Sequence, residues 1–192
     1  MPWTHVNLHN GSVVQLYRQQ FAQECGPSCV ATLGRMFGRG MDIGPARTTI
    51  GAVDHNRPPG GGMGHNWQQD WSYMTSLTQA LSQYGFRMAH TRKNLSLNIY
   101  RQFCEERHLR SPAILRVEWP NGTGHFIVTV GKNRAQQQNF IEILDPEYGY
   151  QRVSLTDFPN YRVRDPATRV VIAQGTLDRF LVSGNDVMRK NA

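Results

Sequence analysis

The second half of the chain consists of short runs of β-branched and aromatic residues, and these runs restrict the fold more than any other feature. After Pro112 they occupy residues 113–119, 124–130, 139–144 and 169–173, with turn residues between them. The loops between them are too short to hold crossover helices, so neighbouring strands are expected to run antiparallel. Helical patterns come first in the chain and strands follow, which predicts an α+β fold with helices packed on an antiparallel sheet.

A helix is predicted to begin at Cys25 and to end near Gly38. Its apolar stripe has helical spacing and consists of Val30, Leu33, Met36 and Phe37. Two more helices are predicted over residues 75–84 and 96–108, the first of them closed by Gly85. Residues 11–18 form an apolar run that fits either a strand or an approach to the first motif.

Residues 38–72 are rich in Gly, Pro, Asn and His and predict a long irregular loop, although residues 43–53 could form a short helix. Long irregular loops in compact domains are often functional, so this segment is a candidate substrate-facing region. Trp67, Trp71 and Trp119 could line a groove for the substrate, while aromatic residues are more often part of a core.

The bulk composition describes a protein without a membrane span. A length of 192 residues suits one domain, which we expect over residues 1–183, followed by a C-terminal tail at 184–192. No apolar run approaches the roughly 18 residues of a transmembrane helix, and the N-terminus lacks the pattern of a signal peptide. Three cysteines are too few for a disulfide scaffold. We therefore expect a cytoplasmic protein, or one exported without a Sec signal.

The positive charge does not by itself indicate a nucleic-acid partner. The chain carries 21 basic and 14 acidic residues, a net charge of +7. The basic residues are scattered, with pairs such as Arg92 and Lys93 but no longer run, whereas binding along a phosphate backbone usually needs a clustered stripe. A solvated basic surface is the favoured interpretation, and nucleic acid is not predicted as a partner.

Cys25 is a candidate nucleophile because of its position at the predicted helix start. The unpaired N–H groups and the positive end of the helix dipole favour a thiolate there. The alternative is a small buried apolar side chain beside a turn, and the residues around Cys25 do not decide between the two.

His125 and Asp145 are a candidate base and its orienting carboxylate. His125 begins one predicted strand and Asp145 ends the next. In a hairpin centred on Ala135, residues whose numbers sum to 270 face each other, so His125 and Asp145 are predicted to be directly opposed. A carboxylate in that place holds one imidazole nitrogen and leaves the other free. The alternative is a histidine that merely caps a turn.

The chain resembles the papain-like cysteine peptidases, and among them the double-glycine leader peptidases. That group has a Gln, four residues, an acidic residue and the nucleophilic Cys, which Gln19, Glu24 and Cys25 match. The Cys-Gly-Pro-x-Cys run, the Gly-His-Phe-Ile-Val run at 124–128 and the Leu-Asp-Pro run at 144–146 are also similar to it, in the same chain order. The resemblance covers roughly residues 12–175.

The resemblance implies a papain-like fold and a cysteine hydrolase, most simply a peptidase acting on a peptide or protein. It implies that Gln19 donates its side-chain amide to the oxyanion hole together with the Cys25 backbone N–H. Gly26 and Gly124, which adjoin the nucleophile and the base, are further candidate substrate-binding residues. No metal and no cofactor are predicted.

Three alternatives remain open on the sequence. Acyltransferases, transglutaminases and glutamine deamidases use the same Cys-His-Asp chemistry, because the acceptor alone decides the fate of a thioester. An exported effector of this kind is one form of that alternative. A zinc site with Cys25 and Cys29 is disfavoured, since structural zinc normally uses two close ligand pairs. A non-catalytic basic binding protein could also keep the fold as a platform.

Overall fold

The computed structural model describes residues 2–55, 72–86, 88–90, 112–130, 140–154, 156–165 and 167–183. The helices in these segments are α1 (Cys25–Met36), α2 (Ile43–His55) and α3 (Met74–Gln83). The strands are β1 (Trp3–Asn7), β2 (Val13–Tyr17), β3 (Met88–His90), β4 (Ala113–Glu118), β5 (Gly124–Thr129), β6 (Phe140–Asp145), β7 (Gly149–Ser154), β8 (Arg162–Arg164), β9 (Val171–Gln174) and β10 (Thr176–Ser183), and a 3-10 helix covers Phe158–Asn160.

The predicted helices α1 and α3 are confirmed, and each is followed by a glycine with positive φ. Gly38 has φ +63° and Gly85 has φ +78°, a conformation that glycine adopts without a steric cost. The short helix considered for residues 43–53 forms as α2, so the segment from residue 38 onward is less irregular than predicted. Between Cys25 and Gly34 every residue of α1 is buried, which makes this helix part of the core.

The main sheet has six strands in the order β3-β10-β4-β5-β6-β7, and all its pairings are antiparallel. The predicted antiparallel sheet is therefore confirmed. The predicted order of helices before strands is wrong, because β1 and β2 form a hairpin before α1. The sequence analysis also missed β10. It is the last strand in chain order and lies between β3 and β4 in the main sheet. The predicted strand at 169–173 is β9, which pairs with β8 outside the main sheet.

The sheet separates two hydrophobic clusters. Ile114, Phe126 and Val128 face the helices and belong to the cluster around α1 and α3. Leu115 and Ile127 alternate with them and face the second cluster, which includes the 3-10 helix. Successive side chains of a strand point to opposite faces of the sheet, and here both faces of the sheet are buried. The central strands β4 and β5 therefore lie between two packed hydrophobic clusters, one on each face of the main sheet.

Several predictions fall outside the described residues. They concern the helix at 96–108, the tail at 184–192 and the loop residues 56–71. The single domain over residues 1–183 stays a prediction. Within the described segments, no helix combines the length and apolar character that crossing a bilayer requires.

Packing between α1 and the chain leading into α2 gives a test of the fold. A Cβ at Gly34 would lie 2.3 Å from the Met41 Cβ, and Met41 is fully buried. Alanine normally stabilises a helix interior by about 1 kcal/mol relative to glycine. We expect Gly34→Ala to destabilise the protein by about 1–3 kcal/mol in urea unfolding, because overpacking dominates.

Gln79→Ala, at an exposed position of α3, is the matched helix control. It should stay within about 0.5 kcal/mol of the wild type. A stabilised Gly34→Ala variant would contradict the close packing of α1 on Met41.

Candidate active site

Cys25 is the first residue of α1, and Glu24 is the N-cap residue. The first helical hydrogen bond runs from the Ser28 N–H to the Glu24 carbonyl at 3.0 Å. The N–H groups of Cys25 and Gly26 come before it and have no acceptor within the helix. The Cys25 side chain is 6% exposed and lines a cleft at the surface. The thiol therefore lies at the positive end of a buried helix and remains in contact with the outside.

His125 and Asp145 meet at the ends of neighbouring strands, with 2.9 Å between His125 Nε2 and Asp145 Oδ1. The predicted register is wrong, however. Val128 pairs with Leu144, so paired numbers sum to 272, and Ile127 rather than His125 comes opposite Asp145. A shift of two residues keeps side chains on the same face of a sheet. The two side chains therefore make contact as a diagonal pair.

The Asp145 carboxylate is fully buried, and both of its oxygens accept further hydrogen bonds. The Glu147 and Tyr148 N–H groups donate to Oδ1 at 2.8 and 2.9 Å. The Tyr161 hydroxyl donates to Oδ2 at 2.7 Å. Burial alone would raise the pKa of Asp145, but His125 and these donors outweigh it and hold the pKa below its ordinary value. Asp145 is therefore ionised and fixed in orientation.

The His125 imidazole is in contact with two aromatic rings and lies close to two carboxylates. Trp119 stacks on it with 5.6 Å between ring centroids, and Tyr148 approaches edge-on at 6.2 Å. Burial would lower the pKa of His125, but the Asp145 carboxylate and a hydrogen bond with Cys25 raise it well above its ordinary value. Because Nε2 is engaged by Asp145, Nδ1 is the nitrogen left for the thiol. The Glu147 carboxylate is 3.9 Å from Nδ1.

A second buried carboxylate, that of Glu24, holds the segment that leads into α1. Its Oε2 accepts the Gln20 N–H at 2.7 Å, and its Oε1 pairs with Arg47 of α2. The Arg47 guanidinium also lies 5.1 Å from the centre of the Phe21 ring. The acidic residue of the sequence pattern is therefore a structural anchor that ties the chain before the nucleophile to a neighbouring helix.

Gln19 lies between the two anchored regions. Its backbone N–H donates to the Pro146 carbonyl at 3.0 Å, directly after Asp145. Its side-chain Oε1 is buried and has no hydrogen-bond partner. Gln20, the next residue, is exposed, and its side chain accepts a hydrogen bond from the Tyr17 hydroxyl at 3.2 Å. The two adjacent glutamines therefore have different surroundings.

Cys29 lies one turn into α1 and is fully buried. Burial raises the pKa of the Cys29 thiol well above its ordinary value, and the neighbouring Cys25 and Asp145 add to this. Cys29 is consequently held as a neutral thiol in the core. Cys104, the third cysteine, lies outside the described residues.

The cleft beside Cys25 has a volume of about 200 Å³. Its described lining consists of Gln23, Cys25, Ser72, Tyr73, Met74, Arg116, Gly124 and Phe126. Of the predicted substrate-binding residues, Gly124 lies in this lining. Gly26 is buried in α1, where an added Cβ would be 2.7 Å from Ser72 Cβ, so close packing accounts for glycine there. Trp67 and Trp71 lie outside the described residues. No group of three His, Cys, Asp or Glu side chains suited to a metal occurs in the described part of the chain.

Sequence analysis missed three residues that build the site. Tyr161 follows the 3-10 helix, and no sequence signal connects it with Asp145. Trp119 was considered for a substrate groove but stacks on His125 instead. Arg47 is one basic residue among many until the fold places it against Glu24.

No protein-family model matches the sequence, and no curated protein matches it either. A solved structure does align well: a double glycine motif protease from an AMS/PCAT transporter, determined in complex with the leader peptide. The alignment covers 89% of this chain and 92% of that one, with a TM-score of 0.56 and 17% identity. The chain has the α+β fold of papain-like cysteine peptidases.

Two further solved chains align with this papain-like fold at lower scores. The peptidase domain of Streptococcus mutans ComA has a TM-score of 0.48 and 16% identity over 88% of this chain and 98% of its own. The Pseudomonas avirulence protein AvrPphB has a TM-score of 0.41 and 12% identity over 96% of this chain and 97% of its own.

The raised pKa of His125 makes stability depend on pH. A group whose pKa is higher in the folded state stabilises fully below its unfolded value, 6.5 for His125, and loses that effect as pH rises through the folded value. We expect the difference in unfolding free energy between wild type and His125→Ala to fall from about pH 6 to about pH 9. Urea unfolding across this range measures it.

His5→Ala removes an exposed imidazole of β1 and serves as the control. If the same fall with pH appears for His5→Ala, or if the His125→Ala difference grows with pH, the assignment of this ionisation to His125 is wrong.

Proposed function

We propose that the protein is a cysteine peptidase with Cys25 as nucleophile, His125 as general base and acid, and Asp145 as the carboxylate that orients His125. One observation carries the proposal. The buried His125 imidazole has its Nε2 held by Asp145 at 2.9 Å, and Asp145 together with the neighbouring Cys25 raises the pKa of His125. An arrangement in which a base activates the nucleophile and a third group orients the base is the diagnostic signature of nucleophilic catalysis.

The electrostatics favour an imidazolium at His125, next to the Cys25 sulfur. The helix start offers unpaired N–H groups to the Cys25 sulfur, and the ionised Asp145 stabilises the positive charge on His125. Trp119, stacked on the imidazole, keeps water from the bond between His125 and Asp145. A buried ion pair of this kind needs such support, because burial by itself disfavours both charges.

In the proposed reaction the Cys25 thiolate attacks the carbonyl carbon of a peptide bond, and the carbonyl oxygen takes the negative charge. His125 then gives its proton to the leaving amine, and a thioester remains on Cys25. A water molecule passes a proton to the now neutral His125 as its oxygen attacks the thioester. Collapse of that second intermediate releases the acid and restores the thiolate and the imidazolium.

The oxyanion of each intermediate is proposed to bind the Cys25 backbone N–H and the Gln19 side-chain amide. The amide of Gln19 is partly buried and its oxygen makes no hydrogen bond, so exchanging the positions of Oε1 and Nε2 would cost the oxygen no hydrogen bond and would make Nε2 the buried donor. The bond from the Gln19 N–H to Pro146 and the Glu24 anchor on Gln20 restrain this segment. Hydrogen-bond donors that are held in position before the reaction stabilise the negative charge that develops on the carbonyl oxygen in the transition state.

A peptide is the proposed substrate class. The fold is that of a protease solved in complex with the leader peptide, and the cleft leads from the surface to Cys25. At about 200 Å³ the cleft is smaller than the roughly 300–1,000 Å³ of sites for drug-sized ligands, which suits one side chain of an extended segment.

The nucleophile can be tested by thiol labelling. We expect iodoacetamide at about pH 6 to modify Cys25 at least tenfold faster than Cys29, since Cys25 has the helix end and the imidazole while the pKa of Cys29 is raised by burial. Peptide mapping by mass spectrometry gives the rate at each cysteine. A peptide aldehyde should form its adduct on Cys25 alone.

Cys29→Ser is the matched variant and should keep peptidase activity, whereas Cys25→Ser should lose it. Faster labelling of Cys29, or a dead Cys29→Ser with an active Cys25→Ser, would place the nucleophile at residue 29 and overturn the proposal.

The oxyanion hole can be tested with the two adjacent glutamines. We expect Gln19→Ala to lower kcat by about 100-fold or more with a small change in KM, because removing one oxyanion donor costs roughly 3 kcal/mol in the transition state. Gln20→Ala removes an exposed amide and should change kcat by less than about threefold. Equal losses, or a larger loss in Gln20→Ala, would mean that Gln19 is not the donor.

A further inference from the structure

A second carboxylate, that of Glu147, lies beside the His125 nitrogen that is left for the thiol. Glu147 Oε2 is 3.9 Å from His125 Nδ1, and the Glu147 side chain is 45% exposed. That distance is longer than a hydrogen bond, and Asp145 already holds the other ring nitrogen at 2.9 Å. The Glu147 carboxylate is therefore a negative charge near the base that the triad does not use to orient the imidazole.

The backbone of Glu147 is fixed on both sides of its exposed side chain. Its N–H donates to Asp145 Oδ1 at 2.8 Å, and its carbonyl accepts a hydrogen bond from the Arg18 guanidinium. Arg18 Nε donates to the preceding carbonyl, that of Pro146, at 3.1 Å. Within the described ranges no Lys or Arg forms an ion pair with the Glu147 carboxylate. The charge thus stands at a fixed place and keeps acceptor capacity for a ligand.

Two partly exposed aromatic rings adjoin this carboxylate. Tyr148 lies edge-on to His125 at 6.2 Å and to Trp119 at 6.4 Å between ring centroids. Burial and then the Glu147 carboxylate raise the pKa of Tyr148, which shows that the carboxylate is near its hydroxyl. Aromatic faces attract cations, as carboxylates do. Glu147, Tyr148 and Trp119, which we call the acidic corner, therefore suit a positively charged group.

The proposed reaction brings the leaving group of the substrate to the acidic corner. His125 must pass its proton to the leaving amine, which requires the amine nitrogen to lie within about 2.6–3.2 Å of Nδ1. The Glu147 carboxylate is 3.9 Å from that same Nδ1. The residue that supplies the amine, the first one after the scissile bond, consequently lies beside Glu147.

From this placement we propose that Glu147 is a specificity-determining residue that binds a cationic side chain on the leaving-group side of the scissile bond. The substrate class is a peptide with Lys or Arg directly after the cleavage position. The inference rests on the proposed function, since it uses the proton transfer from His125 to locate the leaving group. The chain as a whole has a net charge of +7, so its overall field repels a cation and a preference for one is a local property of the site.

Two methanethiosulfonate reagents test the inference without a known substrate. One carries a trimethylammonium-ethyl group and the other a neutral methyl group. With each, the Cys25 thiolate attacks the sulfenyl sulfur, a mixed disulfide forms and methanesulfinate leaves. The thiolate fraction of Cys25 cancels in the ratio of the two rates, so that ratio reports the charge around the thiol.

We expect Glu147→Gln to lower the cationic-to-neutral rate ratio at Cys25 by about threefold, because one negative charge beside the catalytic nitrogen is lost. Peptide mapping by mass spectrometry gives the rates. In roughly 1 M NaCl, where charges are screened within about 3 Å, the difference between wild type and Glu147→Gln should shrink.

Three further variants make the measurement specific. Glu147→Lys reverses the charge and should lower the ratio by about tenfold. Glu147→Asp keeps the charge and should retain the ratio within about twofold. Asp165→Asn removes an equal charge from the turn between β8 and β9, where asparagine can still accept the Thr168 N–H, and should leave the ratio unchanged.

A peptide library then reads the leaving-group side directly. Sequencing the new N-termini of the products gives the residue that follows each cleaved bond. We expect the wild type to enrich Lys and Arg at that position and Glu147→Gln to lose the enrichment.

An unchanged reagent ratio in both Glu147→Gln and Glu147→Lys overturns the role of Glu147 and leaves Cys25 as nucleophile. A wild-type library that is cleaved without enrichment of Lys or Arg does the same. If neither reagent modifies Cys25 in the folded protein, the proposed function falls, and this inference falls with it.

Discussion

A fully buried carboxylate requires hydrogen-bond donors for its oxygens, and in this protein the donors around Asp145 come from several parts of the chain. Two are backbone N–H groups of the turn after β6, one is the hydroxyl of Tyr161, and one is the His125 imidazole. One side chain thus shapes the β6–β7 hairpin, joins the chain after the 3-10 helix to the main sheet and orients the imidazole. The turn that it shapes ends at Gly149, whose φ of +86° suits glycine.

Glu24 supplies the same kind of constraint on the other side of the nucleophile. Its buried carboxylate is compensated by Arg47 and by the Gln20 N–H, so α2 and the segment before α1 are joined at the residue preceding Cys25. Arg18 extends the connection, because its guanidinium donates to the carbonyls of Pro146 and Glu147 in the turn beside Asp145. Two carboxyl groups that are costly to bury without partners therefore fix the positions of the backbone around the thiol.

The sequence was a good guide wherever a local pattern decides the structure. The stripe from Val30 to Phe37 predicts α1 because helical spacing buries one face, and the runs after Pro112 become β4, β5 and β6 because they alternate between two buried layers. Local pattern was a poor guide to β10, since its place between β3 and β4 depends on pairing with residues far away in the chain. It also did not decide the register of β5 against β6, because residues 131–139 connect these strands and a symmetric loop was assumed.

The sequence by itself determined which residues are the candidates for chemistry and on which kind of element they lie: a thiol at a helix start, and an imidazole and a carboxylate at strand ends. Those assignments follow from residue type and local spacing, which the chain carries in short segments. Only the tertiary structure decided how these groups are supported. The diagonal contact of His125 with Asp145, the hydroxyl of Tyr161, the ring of Trp119 and the guanidinium of Arg116 at the cleft all depend on strand register and on packing between distant segments. Such contacts are set by how both faces of the sheet are filled, which local sequence does not specify.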